Sequence, residues 1–237
     1  RAGEITYRHI DGLTYEVRIT TYTRSCQFCA DRCSLTINWG DSSSTELSRV
    51  NGTSVRCRGA NDGVIIDPAN EIRKNIYLGE HTYQAPGIYT LWFEDPNRNA
   101  GINNIINSDL VPFYLETELF ISPSLGPNSS PILTNPPVDQ GCKNRRFEHS
   151  AGAFDPDGDS LAYSLVPSKA TGGQDINTIC DPQYVQDSVR IDADTSPSKS
   201  LNFVRMPRVA TFASVMSFEI FRWTSKTVAI IPPKSIH

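Results

Sequence analysis

The chain has 237 residues, a formal net charge of -4 at pH 7, 38% hydrophobic residues and 20% charged residues. These values belong to a folded globular protein with room for two domains of ordinary size, and they exclude a disordered tail. Lys and Arg, 22 in all, are scattered rather than clustered, which argues against a nucleic-acid or anionic-membrane surface, and no apolar run approaches the ~18 residues of a membrane-spanning helix.

Apolar and polar positions alternate with period two along most of the chain, the pattern of strands with one buried face. Ile5, Tyr7 and His9 form the first set, and Asp11-Gly12 reads as the tight turn leading to Leu13, Tyr15, Val17 and Ile19. Leu35, Ile37 and Trp39 follow, then Tyr89, Leu91 and Phe93, then Phe113, Leu115, Thr117, Leu119 and Ile121. Ser122–Pro131 carries Pro123, Pro127 and Pro131, which disfavour helix and cannot donate to a ladder. This places a domain over 1–123, a linker over 124–131 and a second domain over 132–237. The second half alternates again at Leu161, Tyr163 and Leu165, at Val189 and Ile191, and at Phe218 and Ile220, with a loop-like stretch over 172–186. The expected fold class is all-β, two sandwiches in tandem. Opening at Arg1, without an initiator Met, the sequence reads as a processed or trimmed chain.

Cys26, Cys29, Cys33 and Cys57 fall in the first half, Cys142 and Cys180 in the second. Even numbers in each half suit bridges closed within each half and an oxidising, extracytoplasmic setting. Four thiolates at Cys26, Cys29, Cys33 and Cys57 would also suffice for zinc, but the spacing is not that of paired C-x2-C motifs, and two disulfides of open pairing are the favoured reading. Cys142 and Cys180 are expected to pair.

Two phrases in the first half are more specific: Trp39-Gly40-Asp41-Ser42-Ser43, and His81-Thr82-Tyr83 followed by Pro86-Gly87-Ile88-Tyr89-Thr90. They resemble the turn and the later strand of the PKD (polycystic kidney disease) domain, an immunoglobulin-like sandwich, with Ser42 where that turn usually carries a second Gly. Arg1-Ala2-Gly3-Glu4, Glu94-Asp95-Pro96-Asn97, Leu125-Gly126-Pro127-Asn128-Ser129-Ser130-Pro131 and Phe154-Asp155-Pro156-Asp157-Gly158-Asp159-Ser160-Leu161 widen the likeness. Over roughly residues 1–192 the chain resembles the N-terminal region of secreted Bacteroidetes surface proteins of the gliding-motility-associated type, which leave through type IX secretion. The likeness ends after Asp194. It implies tandem immunoglobulin-like sandwiches, the first PKD-like and the second cadherin-like, at an extracellular or cell-surface location.

Asp155, Asp157 and Asp159 stand at alternate positions around Gly158, so their oxygens can converge on one hard cation, and calcium accepts such oxygen-rich cages. Asp95, Asn97 and Asn99 form a weaker second candidate, for which an Asx-turn network is the favoured account. Asp187-Ser188-Val189 resembles the Bacteroidetes O-glycosylation site at Ser188, and the sequons at Asn51 and Asn128 are expected to be idle. No Gly-x-Ser-x-Gly, His-Glu-x-x-His, phosphate-loop or dinucleotide motif is present, and His9 and His81 read as structural. The expected function is non-enzymatic: a surface module for adhesion or structural assembly, including a filament or sheath subunit, with other surface proteins, glycans or copies of itself as partners. The alternative is a carbohydrate-binding accessory region of a secreted polysaccharide-active protein, which needs an exposed row of aromatics such as Tyr7, Tyr15 and Tyr22. A hydrolase would need two carboxylates facing each other in a cleft.

Overall fold

The computed structural model describes residues 2–25, 31–57, 59–99, 105, 107–137, 147–148, 152–166, 169–176, 203–204 and 217–223. Strands and turns dominate them. Ten strands lie in the first part of the chain: β1 (Ala2–Asp11), β2 (Thr14–Arg24), β3 (Ser34–Asn38), β4 (Ser44–Ser48), β5 (Val55–Cys57), β6 (Ala60–Asn61), β7 (Val64–Asp67), β8 (Ile72–Thr82), β9 (Gly87–Asp95) and β10 (Phe113–Ile121). Two four-stranded antiparallel sheets result, ordered β1-β2-β8-β7 and β10-β9-β3-β4, with β5 and β6 paired on their own. The fold is thus all-β and sandwich-like, as the alternation predicts.

The inward positions of both sheets form one core. Ile5, Tyr7, Tyr15, Val17, Ile19 and Tyr77 from the first sheet meet Leu35, Ile37, Trp39, Leu47, Leu91, Phe93, Phe113, Leu119 and Ile121. At ~25 cal/mol per Å² of apolar surface removed from water, this burial is the main force holding the sheets together. Two details depart from the simple pattern. The β1–β2 turn is Gly12-Leu13 rather than Asp11-Gly12: Asp11 pairs with Thr14, a bulge absorbs the one-residue shift, and Gly12 takes the left-handed φ of 54°. Thr20, Thr21 and Tyr22 are all buried in succession; Asn75 of the adjacent β8 donates to Thr21 Oγ1 at 3.3 Å, and Lys74 lies over the Tyr22 ring.

Beyond β10 the described strands are β11 (Ile132–Leu133), β12 (Phe147–Glu148), β13 (Ala153–Phe154), β14 (Ser160–Val166), β15 (Phe203–Val204) and β16 (Ser217–Trp223). They pair antiparallel as β11-β13, β12-β15 and β14-β16. The last pair joins the Leu161/Tyr163/Leu165 and Phe218/Ile220 alternations, with Tyr163 opposite Ile220. The expected strand at Val189 and Ile191 lies outside the described residues. Among the described residues no helix is long and apolar enough to cross a membrane.

Candidate cation site and the contacts between the two halves

The Trp39-Gly40-Asp41 turn joins β3 to β4, and its polar groups are engaged with one another. Asp41 Oδ1 accepts from the Ser43 N–H at 3.0 Å and from its hydroxyl at 2.6 Å, the Asx-type closure that Asp favours in turns. His81 Nε2–H donates to Asp41 Oδ2 at 2.7 Å. The fully buried Trp39 donates its indole N–H to Thr45 Oγ1 at 2.9 Å, and its carbonyl accepts from Tyr83 OH at 3.0 Å. Asp41 and His81 serve here as a tie between turn and strand.

The Asp95–Asn99 loop is held by partners outside it. Arg32 places Nε and Nη2 on the two Asp95 oxygens at 3.1 and 3.0 Å, a bidentate pair in which a guanidinium supplies the positive charge. The Asn97 amide donates to the Asp109 carbonyl, and the Asn99 carbonyl accepts from Ser108 Oγ. Beneath Arg32 a void lined by Thr21, Tyr77, Phe93 and Phe113 has room for about one water.

The Asp155–Asp159 turn is built differently. Asp155 is 5% exposed. Its Oδ1 accepts the N–H groups of Asp157 and Asp159 at 2.9 and 3.2 Å, which folds the turn around one carboxylate oxygen. Its Oδ2 is buried with no hydrogen-bond partner. Asp157 faces the linker, where Oδ2 accepts from the Ser129 N–H at 2.6 Å. Asn128, the residue before Ser129, is 3% exposed, and its Oδ1 is likewise buried without a partner. A buried acceptor left unsatisfied costs about 1–3 kcal/mol, so two together call for a donor or a cation. Among the described residues no group of three or more His, Cys, Asp or Glu that could hold a metal is found.

Sequence reasoning treated 124–131 as a simple linker and missed its anchoring. Asn128, Ser129 and Ser130 are all buried. Ser130 N–H donates to the Tyr7 carbonyl at 2.9 Å, and Ser130 Oγ accepts from the Tyr7 N–H at 2.8 Å, so the segment extends the edge of β1. Leu133 N–H reaches Glu4 Oε2 at 3.4 Å, and burial raises the pKa of that carboxyl above the ordinary 4.5. A second junction involves 169–175. Arg98 donates to the Pro112 carbonyl at 3.0 Å and to the Lys169 carbonyl at 2.6 Å, over the Phe113 ring, and burial lowers its pKa to about 10. Lys169 pairs with Glu116, and the Gly172 N–H approaches Glu94 Oε2 at 3.4 Å. The sequence signal for both junctions is a polar residue within a Pro- or Asn-rich segment, which also describes an ordinary exposed loop.

Cys33 is disulfide-bonded. Cys26, Cys29, Cys142, Cys180 and Ser188 lie outside the described residues, and Cys57 ends β5. Tyr7, Tyr15 and Tyr22 are 8%, 2% and 8% exposed, so they do not present a row of rings to a glycan. Compared with known proteins, the chain matches no family model, no curated protein and no solved structure.

Proposed function

We propose that this chain is a non-enzymatic extracellular module for adhesion or structural assembly, built from tandem immunoglobulin-like sandwiches, the first of them PKD-like. The observation that carries the reading is the disulfide at Cys33, in a sandwich where Asp41, His81 and Asp95 are engaged by scaffold partners. A disulfide of this kind persists in oxidising compartments. His81 and Asp41, the two residues most suggestive of chemistry, hold each other and the turn.

The sheet edges support the assembly side of the reading. β7 is the last strand of its sheet, and Val64, Ile65 and Ile66 are 46%, 42% and 37% exposed along it. An edge strand of β-branched residues suits strand addition by another copy of the chain, the contact a filament or sheath subunit requires. Protease treatment of intact native cells tests the location: loss of the chain while cytoplasmic proteins survive supports it, and full protection with reduced thiols sinks it. Sedimentation of the purified chain over a range of concentrations tests self-assembly, with Ile65→Lys expected to abolish it.

A further inference from the structure

We infer that the Cys33 disulfide is a redox-sensitive latch on a buried charge network: closed, it seats Asp31 and Arg32 against the sandwich; reduced, it withdraws the counter-charges of Arg49, Arg73 and Asp95. The inference rests on the extracellular reading only for the oxidising setting that keeps the latch closed. Cys33 is disulfide-bonded, and the two residues before it lie in no strand, yet they neutralise three buried side chains. Asp31 Oδ1 accepts from Arg49 Nη1 at 2.6 Å, and its Oδ2 accepts from Arg49 Nη2 at 3.2 Å and from Arg73 Nη1 at 3.4 Å. The two arginine side chains are 0% and 9% exposed. Arg32 forks onto the buried Asp95. The backbone is held at the same place: the Arg32 carbonyl accepts from Tyr77 OH at 2.5 Å, and the Cys33 carbonyl from the Arg49 N–H at 2.8 Å.

Arg49 and Arg73 lie 18 and 42 residues from Asp31, and Asp95 lies 63 from Arg32, so no local geometry keeps these counter-charges in place. Removing one partner of a buried ion pair is strongly destabilising, because the other charge stays behind uncompensated. A covalent tie at Cys33 limits the freedom that the segment gains on leaving, and so raises the effective concentration of both counter-charges at their partners. Such coupling is reciprocal: the factor by which reduction weakens the ion pairs is the factor by which loss of the ion pairs eases reduction. A dithiol supplies the two electrons. Its thiolate attacks one sulfur, the S–S bond at Cys33 breaks, the dithiol closes into a cyclic disulfide, and its two protons pass to the two cysteine thiols. Arg32 and Asp95 also line the small void with Tyr77, Phe93 and Phe113, so withdrawal of Arg32 admits water to this end of the core.

The test uses the purified 237-residue chain, equilibrated in mixtures of reduced and oxidised dithiothreitol. Alkylation and peptide mapping read the thiol state of Cys33, and hydrogen exchange reads the Arg49 amide, which donates to the Cys33 carbonyl. Reduction of Cys33 should quicken exchange at Arg49 at least tenfold, and Cys33→Ser should do the same without reductant. Asp31→Asn should shift the Cys33 equilibrium toward thiol by at least about tenfold. Arg32→Gln, at a partly exposed side chain, should shift it in the same direction and keeps the test decisive if Asp31→Asn fails to fold. Arg24→Gln, which removes only an exposed pair with Glu71 at the end of β2, should leave the equilibrium unchanged. An equilibrium unmoved by both Asp31→Asn and Arg32→Gln overturns the proposal, as does parental Arg49 exchange in Cys33→Ser. A shift of equal size in Arg24→Gln also overturns it, by assigning the effect to a general loss of stability. The cellular location of the chain is read separately by the protease treatment, so failure of the latch and failure of the extracellular reading are distinguishable.

Discussion

His81 of β8 and Asp41 of the β3–β4 turn meet across the two sheets: the imidazole donates to the carboxylate at 2.7 Å while lying flat on Trp39, with ring centroids 4.7 Å apart and planes 9° from parallel. One strand of the first sheet is thereby tied to a turn of the second, through a hydrogen bond and a stacked ring over a fully buried indole.

This tie has a pH signature. Burial acts to raise the Asp41 pKa, but the Ser43 hydroxyl, His81 and the Ser43 N–H outweigh it and bring it to about 2, below the ordinary 3.8. A depressed carboxylate contributes stability that is fully present above its unfolded value and is lost as pH falls through the folded value. Melting temperature should therefore lose the Asp41 contribution between about pH 4 and pH 2. Asp41→Asn should flatten that part of the acid limb, and Asp41→Ala should cost about 1 kcal/mol at neutral pH, a modest amount because the pair is partly solvated. An acid limb unchanged in Asp41→Asn would show that the tie is energetically idle.

Ser42 adopts a left-handed φ of 74°, at the position where the resemblance expects glycine. Such a conformation strains an L side chain by about 1–2 kcal/mol, part of which glycine returns through its freer unfolded state. Ser42→Gly should raise stability by roughly 0.5–1 kcal/mol in urea titration. Gly40→Ala should do the opposite, losing at least ~2 kcal/mol. Its φ is 82°, and an added Cβ would lie 2.7 Å from the Thr90 backbone nitrogen.

Arg49 is buried to 2% exposure, with a guanidinium that holds four contacts: Nε to the Asn61 carbonyl at 2.6 Å, Nη1 to Asp31 Oδ1 at 2.6 Å and to Asn75 Oδ1 at 2.8 Å, and Nη2 to Asp31 Oδ2 at 3.2 Å. A lysine carries the charge without the planar fork. Arg49→Lys should cost at least ~2 kcal/mol and Arg49→Ala about 3–5 kcal/mol, since each disrupts the donors to the buried Asn75 Oδ1 and to Asp31, which then relies on Arg73. Chemical denaturation reads both, and a loss under 0.5 kcal/mol for Arg49→Lys would refute the account.

Arg98 joins the Asp95–Asn99 loop to the Lys169 carbonyl. Arg98→Ala should release the 169–175 segment while leaving the first core intact, so amide exchange at Ala170 and Gly173, which now donate to Gln174 and Ala170, should quicken at least tenfold. Unchanged protection there, with Leu91 and Phe93 equally unaffected, would assign the docking to the Lys169–Glu116 pair instead.

Much of the first half was legible because strand formation is local. Tyr15, Val17 and Ile19 alternate toward one face, and so do Leu35, Ile37 and Trp39; the period-two geometry of an extended chain turns that spacing directly into a buried row. The scaffold role of Trp39, Asp41 and His81 was legible for the same reason, since an aromatic followed by Gly-Asp-Ser ends a strand in a compact turn. The acidic turn was visible as three aspartates around Gly158, but its orientation was not.

The sequence by itself determined an all-β chain, the strands β1, β2, β3, β9 and β10 and a polar segment near residue 128, but not β4, β7 or the long central β8. Only the tertiary structure decided which polar residues are buried and what they meet. Asn128, Ser129 and Ser130 read as an exposed linker until pairing with Tyr7 and Asp157, the latter 28 residues from Ser129, removes them from water. Asp95 reads as the head of an Asx turn, and the Asn97 N–H does donate to it, but only the fold brings Arg32, 63 residues away, onto both its oxygens. Alternation is set by neighbours along the chain, whereas the partner of a buried polar atom is set by sheet pairing between distant segments, which local spacing does not encode.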